Sequence, residues 1–147
     1  MASSTLAEIK ALIKTKLQDL KIGGIAVFGE VLDYAHGDYE HYPVAIITPI
    51  GGDGEVIDTH RIERTFRFTV KLYQEQSHVG KTPAEADTLM TAAADALLIA
   101  FDQDKDLGGE IEIVRVVDFD FDFKVAAGTF NFATFNINCV VIVPNYV

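Results

Sequence analysis

The strongest constraint in this sequence is the alternation between Ile111 and Val125. Odd positions carry Ile111, Ile113, Val117, Phe119, Phe121, Phe123 and Val125, interrupted only by Arg115. Even positions carry Glu112, Asp118, Asp120, Asp122 and Lys124, with Val114 and Val116 as exceptions. Period two marks an extended strand with one apolar and one wet face. A second extended run follows Ala126-Ala127-Gly128 and ends near Val143, so Gly109 to Val143 reads as a long C-terminal hairpin. Fifteen residues at about 3.3 Å each span roughly 50 Å. A domain of this length is only roughly 40 Å across. Straight strands of that length outrun their own domain, and the overhang is expected to dock on a neighbouring copy.

The returning strand carries a change of phase. Phe130 and Phe132 are apolar at even positions, but Ala133, Phe135, Ile137, Cys139, Val141 and Val143 take the odd ones. A one-residue slip of this kind predicts a β-bulge or bend at Phe132 to Phe135.

Upstream, the pattern alternates between helices and strands. Leu6, Ile9, Ile13, Leu17 and Leu20 recur at helical spacing, predicting a helix over 5–20, capped by Ser4 or Thr5 and ended by Gly23-Gly24. Ile25 to Leu32 reads as a strand, and 33–42 as a polar loop with His36 and His41. Tyr42 to Pro49 reads as a short apolar strand with Pro43 at its start. Ile50-Gly51-Gly52-Asp53-Gly54-Glu55 reads as a flexible hairpin tip, since no P-loop or G-x-G-x-x-G spacing accompanies its glycines. His60 to Glu75 alternates again, with Ile62, Phe66, Phe68, Val70 and Leu72 on one face. Thr82-Pro83-Ala84-Glu85 is a capping box that opens a helix to about Phe101, with Ala86, Leu89, Met90, Ala93, Leu97 and Phe101 as its apolar stripe.

The whole is one α+β domain over 1–147: a mainly antiparallel sheet, two helices packed against it and the long C-terminal hairpin. Nearly half of the 147 residues are hydrophobic, enough for a packed core. No apolar run is long enough to cross a bilayer, and no signal peptide opens the chain, which predicts synthesis in the cytoplasm. The net charge of −10, from 22 acids against 12 bases, argues against gripping nucleic acid.

Candidate chemistry is sparse. The serines are Ser3, Ser4 and Ser77, none in a nucleophile-elbow setting. Cys139 lies in an apolar strand and reads as a small buried hydrophobe. His36 and His41 with Asp33, Asp38 and Glu40 match no ligand spacing. Asp102-Gln103-Asp104-Lys105-Asp106 resembles the opening of a calcium loop, but Leu107 replaces the turn glycine and Ile113 the bidentate glutamate. Asp118, Asp120 and Asp122 share one face at about 6.6 Å spacing, which suits a solvated ladder better than a metal site. The reading is therefore no catalytic residue, no cofactor and no metal.

The element order, with Tyr42-Pro43-Val44-Ala45-Ile46-Ile47, the strand Arg64 to Tyr73, the helix Thr82 to Phe101 and a closing strand ending in Val143-Pro144, resembles the tail terminator (tail completion) proteins of long-tailed bacteriophages. The likeness is one of architecture along nearly the whole chain and carries over no individual residue. It implies a homohexameric ring at the head-proximal end of the virion tail. Such a ring caps the tail tube, stops its polymerisation and presents a surface to the head–tail connector proteins. Six copies at −10 each would place −60 around a channel through which DNA passes without specific binding. Within that reading, Asp118, Asp120 and Asp122 are candidates for the lumen face, and Gly51, Gly52, Asp53, Gly54 and Glu55 for a loop touching the tail-tube protein. The alternatives are another connector or tail-tube component, or a small α+β enzyme or ligand-binding protein.

Overall fold

A computed structural model describes residues 5–34, 43–75, 83–126 and 128–144. The chain is α+β, with elements in the order α1 (Leu6–Gln18), β1 (Lys21–Ile22), β2 (Ile25–Ala26), β3 (Glu30–Leu32), β4 (Val44–Val56), β5 (Arg61–Glu75), α2 (Pro83–Gln103), β6 (Ile113–Ala126) and β7 (Gly128–Pro144). Five strands form one sheet in the order β3-β4-β5-β7-β6. Only β3 and β4 run parallel; the other neighbours are antiparallel. Helix α1 lies over β3 and β4, and α2 over β5, β7 and β6.

The core follows from the strand periods. Alternate residues Phe68, Val70 and Leu72 of β5, with Ala133, Phe135, Ile137, Cys139 and Val141 of β7, point towards the helices and are buried. They meet Ile9, Ile13 and Leu17 of α1 and Met90, Ala93, Leu97 and Phe101 of α2. These are the helical stripes expected from spacing, except that Leu89 is half-buried, Leu6 is exposed, and Leu20 is half-buried beyond the end of α1. Thr5 caps α1, its hydroxyl accepting from the Glu8 N–H at 3.2 Å. The proposed cap of α2, Thr82, lies outside the described residues.

Five expectations need correction. Helix α1 ends at Gln18, and Gly23-Gly24 do not terminate it. They form the two-residue turn between β1 and β2, both at positive φ (59° and 80°), the backbone that a tight hairpin requires. Second, Ile25 to Leu32 is not one strand but β2 and β3, parted at 27–29.

Third, Gly51 to Glu55 are not a loop tip. They continue β4, which pairs with β5 from Val44 opposite Tyr73 to Val56 opposite Ile62, with one irregularity between Pro49 and Gly51. The turn lies further on, at 57–60, where Ile57 and Asp58 N–H groups bond to the Arg61 carbonyl. Glycine is needed in this strand because the neighbouring backbone comes close: a Cβ on Gly52 would stand 2.4 Å from the Thr65 carbonyl oxygen.

Fourth, no slip occurs at Phe132 to Phe135. The β5–β7 ladder runs unbroken from Arg61 opposite Pro144 to Glu75 opposite Phe130. Phe132 lies on the face away from the helices, stacked on Tyr73 with ring centroids 6.0 Å apart. The phase change lies in β6, whose ladder shifts between Val116 and Asp118. Val114 and Val116 are the core-side residues before the bulge, and Phe119 and Phe121 after it.

Fifth, the returning strand needs no neighbouring copy to complete its ladder. Strand β7 is paired on both sides by β5 and β6, so its ladder is completed within the subunit. Strand β6 is one edge of the sheet, and among the described residues no strand pairs with its outer flank, where the Val114 N–H donates to the Lys105 carbonyl.

Candidate functional site

The outermost strand, β6, combines two properties that rarely coincide on a folded surface. Past Val114, whose N–H donates to the Lys105 carbonyl at 2.6 Å, its outer flank has no strand partner among the described residues, the feature that lets an edge strand accept another chain. Its helix-side residues past the bulge are uncovered: Phe119 is 45% exposed and Phe121 52%, and the bulged Val117 is 52% exposed. Phe119 stacks on the buried ring of Phe135 at 5.5 Å and meets Phe121 edge-to-face at 6.0 Å. The aromatic pair is thus anchored to the core on one side and open on the other.

The opposite face carries the aspartates. Asp118 and Asp120 are both exposed and lie on the side away from the helices, opposite Asn136 and Thr134. Asp118 accepts a short hydrogen bond from the Asn136 amide, whose own oxygen accepts from the Thr69 hydroxyl at 3.3 Å. A polar thread therefore crosses from β5 through β7 to the edge. The backbone of Asp122 continues β6 opposite Phe132, which puts it at a position of the same face; its side chain lies outside the described residues.

The second exposed feature is the far half of the β4–β5 hairpin, where every residue from Thr48 to His60 is exposed. Asp53 pairs across the hairpin with Arg67, and Asp58 pairs with Arg61 at 2.9 Å. The His60 backbone N–H, then the Arg61 side chain, hold the Asp58 carboxyl below its ordinary range. Val56 and Ile57 stand uncovered at the tip. Gly51 to Glu55 therefore sit on an exposed outer strand of the sheet, paired to β5, which β7 backs as far as Arg61.

A third feature was not visible from the periodicity. The β1–β2 hairpin stands beside α2 across an open groove of about 610 Å³, whose lining mixes Leu20, Ile22, Ala92, Ala96 and Ile99 with Lys16, Lys21, Asp95, Gln103 and Asp104. Ile22, Ile25 and Ile99 are all more than half exposed. Reading Gly23-Gly24 as a helix stop hid this hairpin, although two glycines between apolar residues are themselves a turn signal.

Chemical groups are engaged structurally. Cys139 is fully buried, and burial pushes its thiol up to about 12. Asp104 holds Lys16 through one carboxylate oxygen and the Gly108 N–H through the other, at 2.7 and 2.8 Å. Asp106 accepts from the Gly109 N–H at 3.0 Å. Both carboxylates thus fasten the turn after α2. Among the described residues no three or more His, Cys, Asp or Glu side chains gather as metal ligands, and no helix is long and apolar enough to cross a membrane. His36, His41, Asp38, Glu40, Ser3, Ser4, Ser77 and His78 lie outside the described residues.

No family model matches the chain, and no curated protein matches it. Among solved structures, a chain of the virion of a native gene transfer agent particle is similar over 96% of this chain and all of that one, at 15% sequence identity and a TM-score of 0.49.

Proposed function

We propose that this chain is a structural protein of a phage-like virion: a tail terminator that closes as a homohexameric ring at the head-proximal end of the tail. The observation that carries this reading is the β6 edge, where a flank with no strand partner among the described residues lies beside the open aromatics Phe119 and Phe121. An apolar patch of this kind on a soluble domain marks an assembly surface. It lies at one edge of the sheet, while β3 forms the other. Contacts between unlike surfaces are head-to-tail, and they close into a ring when the rotation between copies closes and run on as a filament when it does not. The architecture matches what the resemblance implies, and the fixed roles of Cys139, Asp104 and Asp106 favour a structural part over an enzyme.

In this assembly the face bearing Asp118, Asp120 and Asp122 lines or approaches the channel and lets DNA pass by repulsion. The exposed strand carrying Gly51, Gly52, Asp53, Gly54 and Glu55 reaches towards the tail-tube protein, and the remaining end of the ring meets the connector.

Native mass spectrometry tests the proposal. The expected species is discrete, at six times 16.1 kDa. Open polymers of unlimited length would instead identify a tube subunit. Added to a growing cognate tail tube, the ring is expected to stop elongation; tubes that lengthen unchecked in its presence reject the terminator role.

A further inference from the structure

We infer that the proposed ring is closed by its own sheet: the outer flank of β6 in one copy pairs antiparallel with the outer flank of β4 in the next, between Ile47 and Val56. Phe119 and Phe121 then lie opposite Gly54 and Gly52 of the neighbour. This rests on the ring reading above and deepens it by naming the strands that join.

The sheet is open on both flanks. Strand β6 is the last strand on one side. On the other side β3 covers β4 only from Val44 to Ile46, so from Ile47 to Val56 no strand among the described residues pairs with the outer flank of β4. Because β4 and β5, β5 and β7, and β7 and β6 each run antiparallel, β6 points opposite to β4. A copy turned about a ring axis therefore presents its β4 to β6 in the antiparallel sense, helix side beside helix side. Two β6 strands do not serve each other in this way: such a pairing sets their aspartates together and ends at a two-fold dimer.

The side chains complement one another in this register. The helix side of the free stretch of β4 is bare at Gly52 and Gly54, where a recess of about 380 Å³ opens, lined by Leu6, Pro49 and Phe66 with Arg64, Asp53 and Thr65. On the helix side of β6 the reverse holds, since Phe119 and Phe121 stand half-uncovered. An aromatic residue set across from an edge glycine covers the backbone that the glycine leaves open. Arg64, opposite Gly54 on β5, is exposed and forms no ion pair among the described residues. Its guanidinium can reach across the glycine to a phenyl face.

The strands also end where they should. Allowing for the irregularity between Pro49 and Gly51, β6 runs out at Ala126 where β3 begins to cover the neighbour's β4, at Ile46. Through the ladders Phe121 stands level with Leu72, and Gly52 with Phe66. The next copy is thus offset along the strands by the run from Phe66 to Leu72, roughly 20 Å, across β4, β5, β7 and β6, together roughly 19 Å wide. That is a strand tilt of about 45°, within reach of what closed sheets adopt. On the outward face Asp120 meets Asp53, which Arg67 holds, and Asp118 meets Glu55. These like charges weaken the seam and are relieved by salt. The turn at 57–60 lies beyond the seam and keeps the reach towards the tube.

The test uses the full chain with Asp53→Cys and Asp120→Cys, two exposed positions outside the core. Cys139 is buried, so the introduced thiols are the accessible ones. Mild oxidation is expected to give a ladder of covalent multimers ending at the hexamer on a non-reducing gel, and neither single variant more than a dimer. Two charge variants read the register independently. Glu55→Lys, facing Asp118, is expected to tighten assembly about threefold, and Arg64→Ala to weaken it about tenfold. A ring that persists by native mass with no ladder, or that Glu55→Lys loosens, overturns this seam and leaves the ring standing. A wild-type chain that stays monomeric at every concentration overturns both.

Discussion

The Lys16 ammonium lies 2.7 Å from a carboxylate oxygen of Asp104, tying the last turn of α1 to the residue that follows α2. The two helices do not merely rest side by side on the sheet; their C-terminal ends are clasped. The same carboxylate accepts from the Gly108 N–H, so the clasp also shapes the turn that leads into β6.

This contact gives a pH-dependent prediction. Lys16 first, then the Gly108 N–H, hold the Asp104 carboxyl below its ordinary range. A depressed carboxylate stabilises the fold fully above its unfolded value, near pH ~4, and loses that contribution as pH falls through the lower folded value. Asp104→Asn keeps an oxygen for Gly108 but removes the ion pair. It should destabilise the chain by about 0.5–1 kcal/mol at neutral pH, the range for a partly exposed pair. Urea melts at pH 7 and below pH ~3 should show the gap between variant and wild type closing at the lower pH.

Two glycines one strand-step apart should respond in opposite ways. A Cβ at position 52 would press on the Thr65 carbonyl oxygen of the paired strand, which cannot retreat without breaking the ladder. At position 54 the nearest atom is the Ile62 side chain at 3.6 Å, ordinary contact distance. Gly52→Ala should therefore cost about 1–3 kcal/mol, the range for forced overpacking, whereas Gly54→Ala should stay within about 0.5 kcal/mol. Hydrogen exchange locates the effect: amides of the β4–β5 hairpin should lose protection in the first variant alone.

The same glycines show where the sequence was legible and where it was not. The core stripes of α1, α2, β5 and β7 could be read directly, because burial on one face imposes period 3.6 or 2 on the residues themselves. Gly51 to Glu55 could not, because their strand is specified by what passes beside them, the Thr65 backbone, and not by their own side chains. The β6 bulge was written in the sequence as Val114 and Val116 followed by Phe119 and Phe121, a phase change that the surrounding odd-position run concealed. Phe132 gave a false signal because an aromatic residue on the outward face, stacked on Tyr73, looks like a core residue out of step. The exposed surfaces were only half visible: Asp118, Asp120 and the aromatics stand on one edge strand as the alternation indicates, but the groove depends on how β1–β2 folds back towards α2.

Cys139 should behave as an inert core residue. Burial opposes the thiolate and raises its pKa to about 12, and the thiolate is the reactive form. At pH ~8 a thiol-specific reagent should leave the native chain unlabelled over the time in which the urea-unfolded chain reacts completely. Fast stoichiometric labelling of the native protein would contradict the buried position.

Leu107 supplies the sharpest contest between backbone and side chain. It holds φ at 49°, yet its side chain is 5% exposed within the core cluster, just ahead of Gly108 and Gly109 at φ 72° and 85°. A left-handed backbone costs a residue with a Cβ about 1–2 kcal/mol, whereas removing a buried leucine side chain costs about 2–5 kcal/mol. Burial wins, so leucine remains despite the strain, and both Leu107→Ala and Leu107→Gly should be destabilised. Their order is the diagnostic. In a helix or strand, alanine is the more stable choice by about 0.5–1 kcal/mol. Here both variants lose the packed side chain, but only alanine keeps the strain, so glycine should be the more stable by about 1 kcal/mol. Urea unfolding midpoints of the two variants measure this directly, and alanine standing above glycine would show that the turn does not hold position 107 in the left-handed region.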